Sequence, residues 1–182
     1  MAIKTFSVGE VLTASDTNTY LANAGLVYVT STTIGSAVSS VTVSNCFSGT
    51  YDNYRIQVTG GTASGNFIMK LQVGASTTGY YFAGAYCTYA GVVTASAGAN
   101  QAAFNCTAYN TNCVSADIFL GQPNLAKNTS FHSIYFGPST GDGAISWQGY
   151  LNDTTAHTGF TISTSSGTLT GGTITVYGYR KA

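Results

Sequence analysis

Catalytic chemistry in this 182-residue chain would have to come from two histidines and a few acidic residues. His157 lies four residues after Asp153, and His132 stands apart from both. A hydrolytic triad needs a nucleophile, a base and an orienting acid, but no G-x-S-x-G elbow precedes His157. We therefore interpret both histidines as structural or surface residues and expect no enzymatic activity.

The acids give equally little support to glycan hydrolysis or metal binding. A glycosidase needs two carboxylates about 5 to 9.5 Å apart, whereas Asp142 and Asp153 lie in turn sequences. Asp52 precedes a strand, where it can bond local backbone or pair with Arg55. No D-x-D-x-D-G loop and no closely spaced His/Cys pair is present. We expect no cofactor and no resident metal; a calcium ion shared at a trimer axis is the alternative left open.

A group of tyrosines and asparagines offers binding chemistry instead. Exposed tyrosine gives rigid contact area at little entropic cost, and aromatic faces with amide side chains suit sugar rings and their hydroxyls. The predicted binding surface, for carbohydrate or for another subunit, consists of Tyr86, Tyr89, Asn105, Tyr109, Asn110 and Asn112. Because Tyr and Asn are also ordinary residues of β-loops, these positions have a purely structural interpretation as well.

The elements that carry these residues are predicted to be strands. From Leu26 onward, β-branched and aromatic residues recur with period two between Gly, Ser and Asn punctuation, which is typical of a sandwich or barrel. About ten strands, among them residues 67–73, 101–107 and 173–180, predict an all-β fold over residues 26–182, an antiparallel β-sandwich that is jelly-roll-like. Residues 91–100, rich in Ala, Ser and Gly, are predicted to form a loop or mobile tip. The Gly171-Gly172 pair predicts a hairpin between its flanking segments.

Residues 1–25 are predicted to be an extended arm followed by one short helix. Thr13 suits an N-cap, Asp16 the third position of a capping box, and Gly25 a left-handed stop. A helix over 14–23 is too short to be stable alone, and an arm of 12 residues could reach roughly 40 Å to a neighbouring subunit. The predicted docking residues are Phe6, Val8, Val11, Leu12, Tyr20 and Leu21. Packing on the chain's own sandwich explains the helix-side residues equally well.

Composition favours a subunit of an assembly. Only 7% of residues are charged, against about 25% in an average soluble domain, and six basic residues balance six acidic ones. A net charge near zero promotes association. The scattered Lys and Arg residues argue against nucleic-acid binding, and no apolar run approaches the roughly 18 residues of a membrane helix.

The cysteines and the first residues indicate where the chain is made. No apolar leader follows Met1, so synthesis in the cytosol is expected, where thiols stay reduced. The four cysteines show no metal-binding spacing and are interpreted as core or sheet residues. If a disulfide forms, Cys106 with Cys113 is the pairing we favour.

Three segments resemble a known class of proteins. Phe6, then Gly9-Glu10-Val11-Leu12-Thr13-Ala14-Ser15-Asp16, Asn18 and Tyr20-Leu21, resemble the N-terminus of many tailed-bacteriophage virion proteins, particularly fibre and appendage proteins of cyanophage-like viruses. Residues 51–56 and 171–179 match in the expected order. The resemblance extends to capsid decoration proteins, and it implies a virion location, homotrimers and no catalytic residues.

The sequence thus predicts a non-enzymatic bacteriophage virion structural protein. In the preferred model it is a fibre or appendage subunit, docked to other virion proteins through its N-terminal arm, whose β-sandwich binds a host-surface glycan. The alternative is a capsid decoration or cement protein that clamps neighbouring capsid subunits. The distribution of apolar surface should separate them, because cement needs a broad apolar base whereas a receptor binder concentrates aromatics at a distal tip.

Overall fold

The computed structural model describes residues 7–16, 25–109, 111–112, 114–136 and 142–181. This part of the chain is nearly all β, with one short helix, α1 (Ala14–Asp16), and antiparallel pairing throughout. The all-β sandwich prediction is confirmed. The strands are β1 (Leu26–Thr33), β2 (Ser40–Val43), β3 (Tyr51–Thr59), β4 (Thr62–Ala63), β5 (Phe67–Val73), β6 (Tyr80–Thr88), β7 (Val93–Gln101), β8 (Phe104–Tyr109), β9 (Ala116–Gly121), β10 (Thr129–Phe136), β11 (Asp142–Leu151), β12 (Phe160–Thr164), β13 (Leu169–Thr170) and β14 (Thr173–Arg180).

Eight of these strands have the order of a jelly roll. One sheet contains β1-β14-β3-β9 and the other β2-β12-β5-β8. When these eight strands alone are numbered along the chain, the first sheet has the order 1-8-3-6 and the second sheet has the order 2-7-4-5. Two interlocked Greek keys in two four-stranded sheets give this arrangement.

Two inserted hairpins extend the first sheet to eight strands. Strands β6 and β7 lie between β5 and β8 in sequence, and β10 and β11 between β9 and β12; in space they continue the sheet as β9-β10-β11-β6-β7. We call these four strands the wing. The wing covers β8, because Phe104 of β8 stacks on Phe131 of β10 with ring centroids 4.2 Å apart and meets Tyr80 of β6 edge-on at 4.8 Å. The wing and the jelly roll therefore share one core.

The alternation of buried and half-exposed side chains along the strands shows where that core lies. Tyr54, Ile56 and Val58 of β3 are fully buried, and the residues between them are half-exposed. Met69 and Leu71 of β5 repeat the pattern in the facing sheet. Since successive side chains of a strand point to opposite faces, each strand contributes one face to the core and leaves the other outside.

The predicted loop at residues 91–100 is wrong, because this segment forms most of β7. Gly91 adopts a left-handed φ of 77°, its N–H donates to the carbonyl of Thr88 at 2.9 Å, and β7 then pairs along β6. The small side chains of β7 give weak strand propensity, but pairing with β6 supplies the backbone hydrogen bonds. The strand predicted to begin at Gln101 begins at Phe104.

The predicted hairpin at Gly171-Gly172 is also wrong, although both residues have the expected positive φ. Strand β13 pairs with β4, and β14 pairs with β1 and β3. The turn packs against the equivalent turn at Gly60-Gly61, where a Cβ on Gly61 would overlap the carbonyl oxygen of Gly171. The Gly171-Gly172 turn is therefore stabilised by tertiary contact with a second turn and does not join two paired strands.

The capping box near the N-terminus is confirmed. The Asp16 N–H donates to Thr13 Oγ1 at 3.1 Å, and the Thr13 N–H donates to Asp16 Oδ2 at 3.1 Å. Ahead of this box, the Glu10 N–H donates to the carbonyl of Ser7 at 3.0 Å and closes a turn. Residues 17–23 of the predicted helix lie outside the described residues. Within the described chain, no helix is long and apolar enough to cross a membrane.

Two cysteines belong to the core. Cys46 and Cys106 are buried free thiols, and burial raises the pKa of Cys46 to about 12 and that of Cys106 well above its ordinary value. Cys113, the partner predicted for Cys106, lies outside the described residues. Cys87 is a half-buried free thiol on β6.

Candidate binding face

The outward-facing side chains of the eight-stranded sheet form aligned rows, which we call the outer face. Antiparallel register places each residue of a row opposite the next on the neighbouring strand. One row, from β1 to β11, is Tyr28, Tyr177, Arg55, Phe119, His132 and Gln148. The adjacent row, from β1 to β6, is Leu26, Tyr179, Asn53, Gly121, Ser130, Tyr150 and Tyr81.

Aromatic rings on the outer face are arranged in two stacks. Phe119 stacks on His132 with centroids 4.9 Å apart and an interplanar angle of 12°, and Tyr179 meets Phe119 at 5.8 Å. Tyr81 stacks on Tyr150 at 5.3 Å and 12°. Such contacts hold the rings in fixed orientations, so the surface that they present is preorganised.

A shallow groove of about 680 Å³ lies where the two stacks approach each other. It is lined by Phe131, His132, Gln148, Gly149 and Tyr150, so each stack contributes one ring. His132 and Gln148 are exposed, and Tyr150 is 44% exposed. The groove therefore combines ring surface with an imidazole, an amide and a phenol hydroxyl that can all form hydrogen bonds.

The one charge in the two rows is neutralised by a neighbouring side chain. Arg55 is their one charged side chain, and it donates through Nε to Asp117 Oδ1 at 2.8 Å and through Nη2 to Asp117 Oδ2. The hydrogen bond to Asp117 raises the pKa of Arg55 further above its ordinary value. A bidentate pair of this kind satisfies both groups, which leaves a neutral aromatic surface suited to uncharged, hydroxyl-rich ligands or to protein contact.

The residues of the predicted binding surface are distributed over several elements. Tyr86 lies on β6 and packs against the core. Asn105 lies on β8 in the four-stranded sheet, opposite Lys70 of β5. Tyr89 is 63% exposed in the turn before β7, and Asn112 is exposed between β8 and β9. Tyr86 and Asn105 therefore do not form one surface with Tyr89 and Asn112. Asn110 and the side chain of Tyr109 lie outside the described residues.

The described docking residues are exposed. Val8, Val11 and Leu12 are 108%, 78% and 49% exposed, so their apolar side chains are accessible to a partner. Phe6, Tyr20 and Leu21 lie outside the described residues. The docking role of this segment stays a prediction.

The second histidine belongs to a structural cluster. His157 is 5% exposed, its Nε2 lies 3.7 Å from Asp153 Oδ2, and the Ser76 hydroxyl donates to the same carboxylate oxygen. Burial lowers the pKa of His157, while hydrogen bonds from Ser76 and Thr155 lower the pKa of Asp153 to about 2. The carboxylate lies between hydroxyl and imidazole, whereas nucleophile activation requires the imidazole in the middle. This cluster fixes a connection between strands.

Two further described acids form ion pairs. Asp52 forms an ion pair with Lys181 at 2.7 Å, and Arg55 pairs with Asp117, so the predicted Asp52–Arg55 contact is wrong. Across the described ranges, no group of three or more His, Cys, Asp or Glu side chains could hold a metal ion.

The groove residues were not among the predicted binding residues. His132, Gln148 and Tyr150 come together through the pairing of β10 with β11. Strand alternation could have identified their side chains as outward-facing, but it does not specify the register that brings them together. Neither a family model nor a curated protein sequence matches this chain. Function must therefore be inferred from the fold and the outer face.

Proposed function

We propose that this chain is a non-enzymatic structural subunit of a bacteriophage virion, of the fibre or appendage type, that binds a neutral host-surface glycan in the groove of its outer face. The observation that carries this proposal is the neutral groove between two ring stacks, lined by His132, Gln148 and Tyr150. The virion location rests on the N-terminal resemblance.

The architecture is compatible with this role. Jelly rolls occur in viral capsid and lectin domains, although a fold alone does not define a function. Leu26, where the N-terminal segment enters the sandwich, shares a row with Tyr81 near the start of β6, whereas Tyr89 follows the far end of β6. A nine-residue strand spans roughly 30 Å. Tyr150 of the groove lies in the same row as Leu26. Docking through the N-terminal segment would therefore leave the β6–β7 turn projecting outward and place the groove on the side of the sandwich, near the docked end.

The groove suits a short stretch of a sugar chain. Its volume of about 680 Å³ falls within the roughly 300 to 1,000 Å³ of ordinary ligand sites. Because it is shallow, affinity per site is expected to be modest. Several copies in one virion would raise the overall avidity without new contacts.

Binding to neutral oligosaccharides tests the proposal. We expect Tyr150→Ala to weaken binding about tenfold, equivalent to about 1.4 kcal/mol, in titrations monitored by NMR with glucose-, galactose- and mannose-based hexasaccharides and with purified host envelope polysaccharide. Tyr28→Ala is the matched control, since Tyr28 is a more exposed tyrosine of the same face, on β1. Equal losses in the two variants, or no binding by the unmodified chain, would refute the glycan site.

A capsid decoration protein is the second candidate, favoured by the spread of apolar surface. Exposed apolar residues extend over the outer face from Leu26 and Tyr28, 38% and 59% exposed, to Ile134 at 60%. A broad patch of this kind is typical of protein interaction surfaces. Sedimentation with empty capsids tests this candidate, which predicts retention by the unmodified chain and loss with both Tyr28→Ala and Tyr150→Ala.

A further inference from the structure

The edge strand β7 differs from the other strands in its side chains. Its nine residues, Val-Thr-Ala-Ser-Ala-Gly-Ala-Asn-Gln, include no charge and no proline, and none of them is buried. It forms one edge of the eight-stranded sheet and pairs with β6 alone. The ladder to β6, rather than side-chain packing, is therefore what holds this strand.

Natural sheets usually protect such an edge. Charges, prolines, bulges and short strand length all hinder pairing with another chain. The edge strand β2 has only four residues, and the opposite edge β1 carries a register shift between Tyr28 and Thr30. Strand β7 has a register shift only at its end, between Gly98 and Gln101, where Asn100 has a positive φ of 53°. From Val93 to Gly98 it is in regular register with β6 and carries neither a charge nor a proline.

The direction of the free backbone groups of β7 follows from the turn. The Thr88 N–H donates to the carbonyl of Val92 at 2.9 Å, so these two residues form a hydrogen-bonded pair. Hydrogen-bonded and non-hydrogen-bonded pairs alternate along an antiparallel ladder. The pairs of β6 with Thr94 and Ser96 are consequently hydrogen-bonded, and the N–H and C=O groups of Val93, Ala95 and Ala97 point away from β6 toward the open edge.

We propose that β7 pairs antiparallel with β7 of a second copy of this chain, across a twofold axis that passes beside Ala95. In this register Ala95 faces its own counterpart, Val93 faces Ala97 of the second copy, and Ala97 faces Val93 of the second copy. Each of these three pairs exchanges two backbone hydrogen bonds, about six in total. The two eight-stranded sheets then form one continuous sheet, with both outer faces on the same side.

A second copy fits this edge because the contact is self-complementary. A twofold interface brings each patch against itself, so a charged residue near the axis would meet its own like charge at the spacing of cross-strand neighbours. Strand β7 carries no such residue, and the chain has zero formal net charge. The small side chains of Ala95 and Ala97 also leave room for the neighbouring backbone. This proposal is independent of the glycan site and of the virion assignment.

The oligomeric mass of the full-length chain tests the proposal. Ala97→Pro removes an N–H that points to the open edge and is not used by β6, a position at which strand proline is tolerated. We expect multi-angle light scattering at about 10 μM to give at least twice the mass for the unmodified chain as for this variant. Ala97→Val retains the N–H, and this control should keep the larger mass.

A charge-pair experiment decides whether Ala95 faces itself. Ala95→Lys and Ala95→Glu should each give the smaller mass, because like charges would meet at the axis, and a 1:1 mixture should recover the larger mass. Far-UV circular dichroism checks that each variant keeps its β-structure. If the unmodified chain and Ala97→Pro have equal masses, or if the mixture does not recover, the proposal is overturned, the latter result indicating a different occupant such as the N-terminal segment of a neighbour.

Discussion

Replacing Phe104 by alanine should destabilise the whole molecule, because this ring connects the wing to the jelly roll. Phe104 is fully buried on β8. It stacks on Phe131 at 4.2 Å and meets Tyr80 and Phe82 at 4.8 and 6.4 Å. Its partners belong to β10 and β6, so the substitution removes packing between the two parts of the structure.

The magnitude follows from burial and ring contacts. A buried Phe→Ala substitution costs about 3 to 5 kcal/mol through lost transfer free energy and the residual cavity. The three ring contacts of Phe104 place it at the upper end of that range. For a chain of this length, a loss of about 4 to 5 kcal/mol should lower the midpoint of thermal unfolding by roughly 8 to 20 °C, at about 2 to 4 °C per kcal/mol.

Urea unfolding monitored by two probes measures this effect. Trp147, the chain's one tryptophan, is 6% exposed in the wing and lies 5.5 Å from Phe82, so its fluorescence reports on the wing while circular dichroism reports on all strands. We expect both transitions to coincide and to shift together in Phe104→Ala. Phe119→Ala, at a half-exposed outer-face position, is the control and should cost less than about 1.5 kcal/mol. Separate transitions, or equal losses in the two variants, would refute a shared core.

Three further substitutions test individual contacts. Tyr80→Phe removes the hydroxyl that accepts a hydrogen bond from the buried Val73 N–H at 2.8 Å, and should lower the free energy of unfolding by about 1 to 3 kcal/mol in urea titrations; no change would contradict that contact. Gly61→Ala combines a left-handed φ with overlap at the packed turn, so it should cost more than Gly91→Ala, whose turn is open; equal thermal midpoints would contradict the turn packing. Burial lowers the pKa of His157 below its ordinary 6.5, so the unfolded chain binds more protons and stability should fall as pH drops below about 6.5. Urea midpoints at pH 7.5 and 5.0 should show this loss in the unmodified chain and a smaller one in His157→Gln, whereas identical pH dependence in both would contradict the assignment.

Strands with large alternating side chains could be predicted from the sequence. The bounds of β5 and β14 match the predicted ranges. Each of these strands buries one face, and apolar residues at every second position of the sequence indicate that buried face. The capping box of Thr13 and Asp16 was equally accessible, since its hydrogen bonds span three residues.

Features that depend on distant pairing could not be predicted. Strand β7 has the composition of a loop and is a strand only because β6 lies beside it. Likewise, His132 stacks on Phe119 and Tyr81 on Tyr150 through registers between strands that no local pattern specifies. The groove could therefore be identified only once the order and register of the strands in the sheet were known.

Cryo-electron microscopy of the intact virus particle that carries this chain tests the proposed function most directly. We predict density for the sandwich in a projecting appendage, with the Leu26 end toward the particle and the groove at His132, Gln148 and Tyr150 open to solvent. Absence of the chain from purified particles would contradict the virion assignment. A sandwich lying on the capsid lattice with its outer face buried would contradict the glycan-binding account and favour decoration.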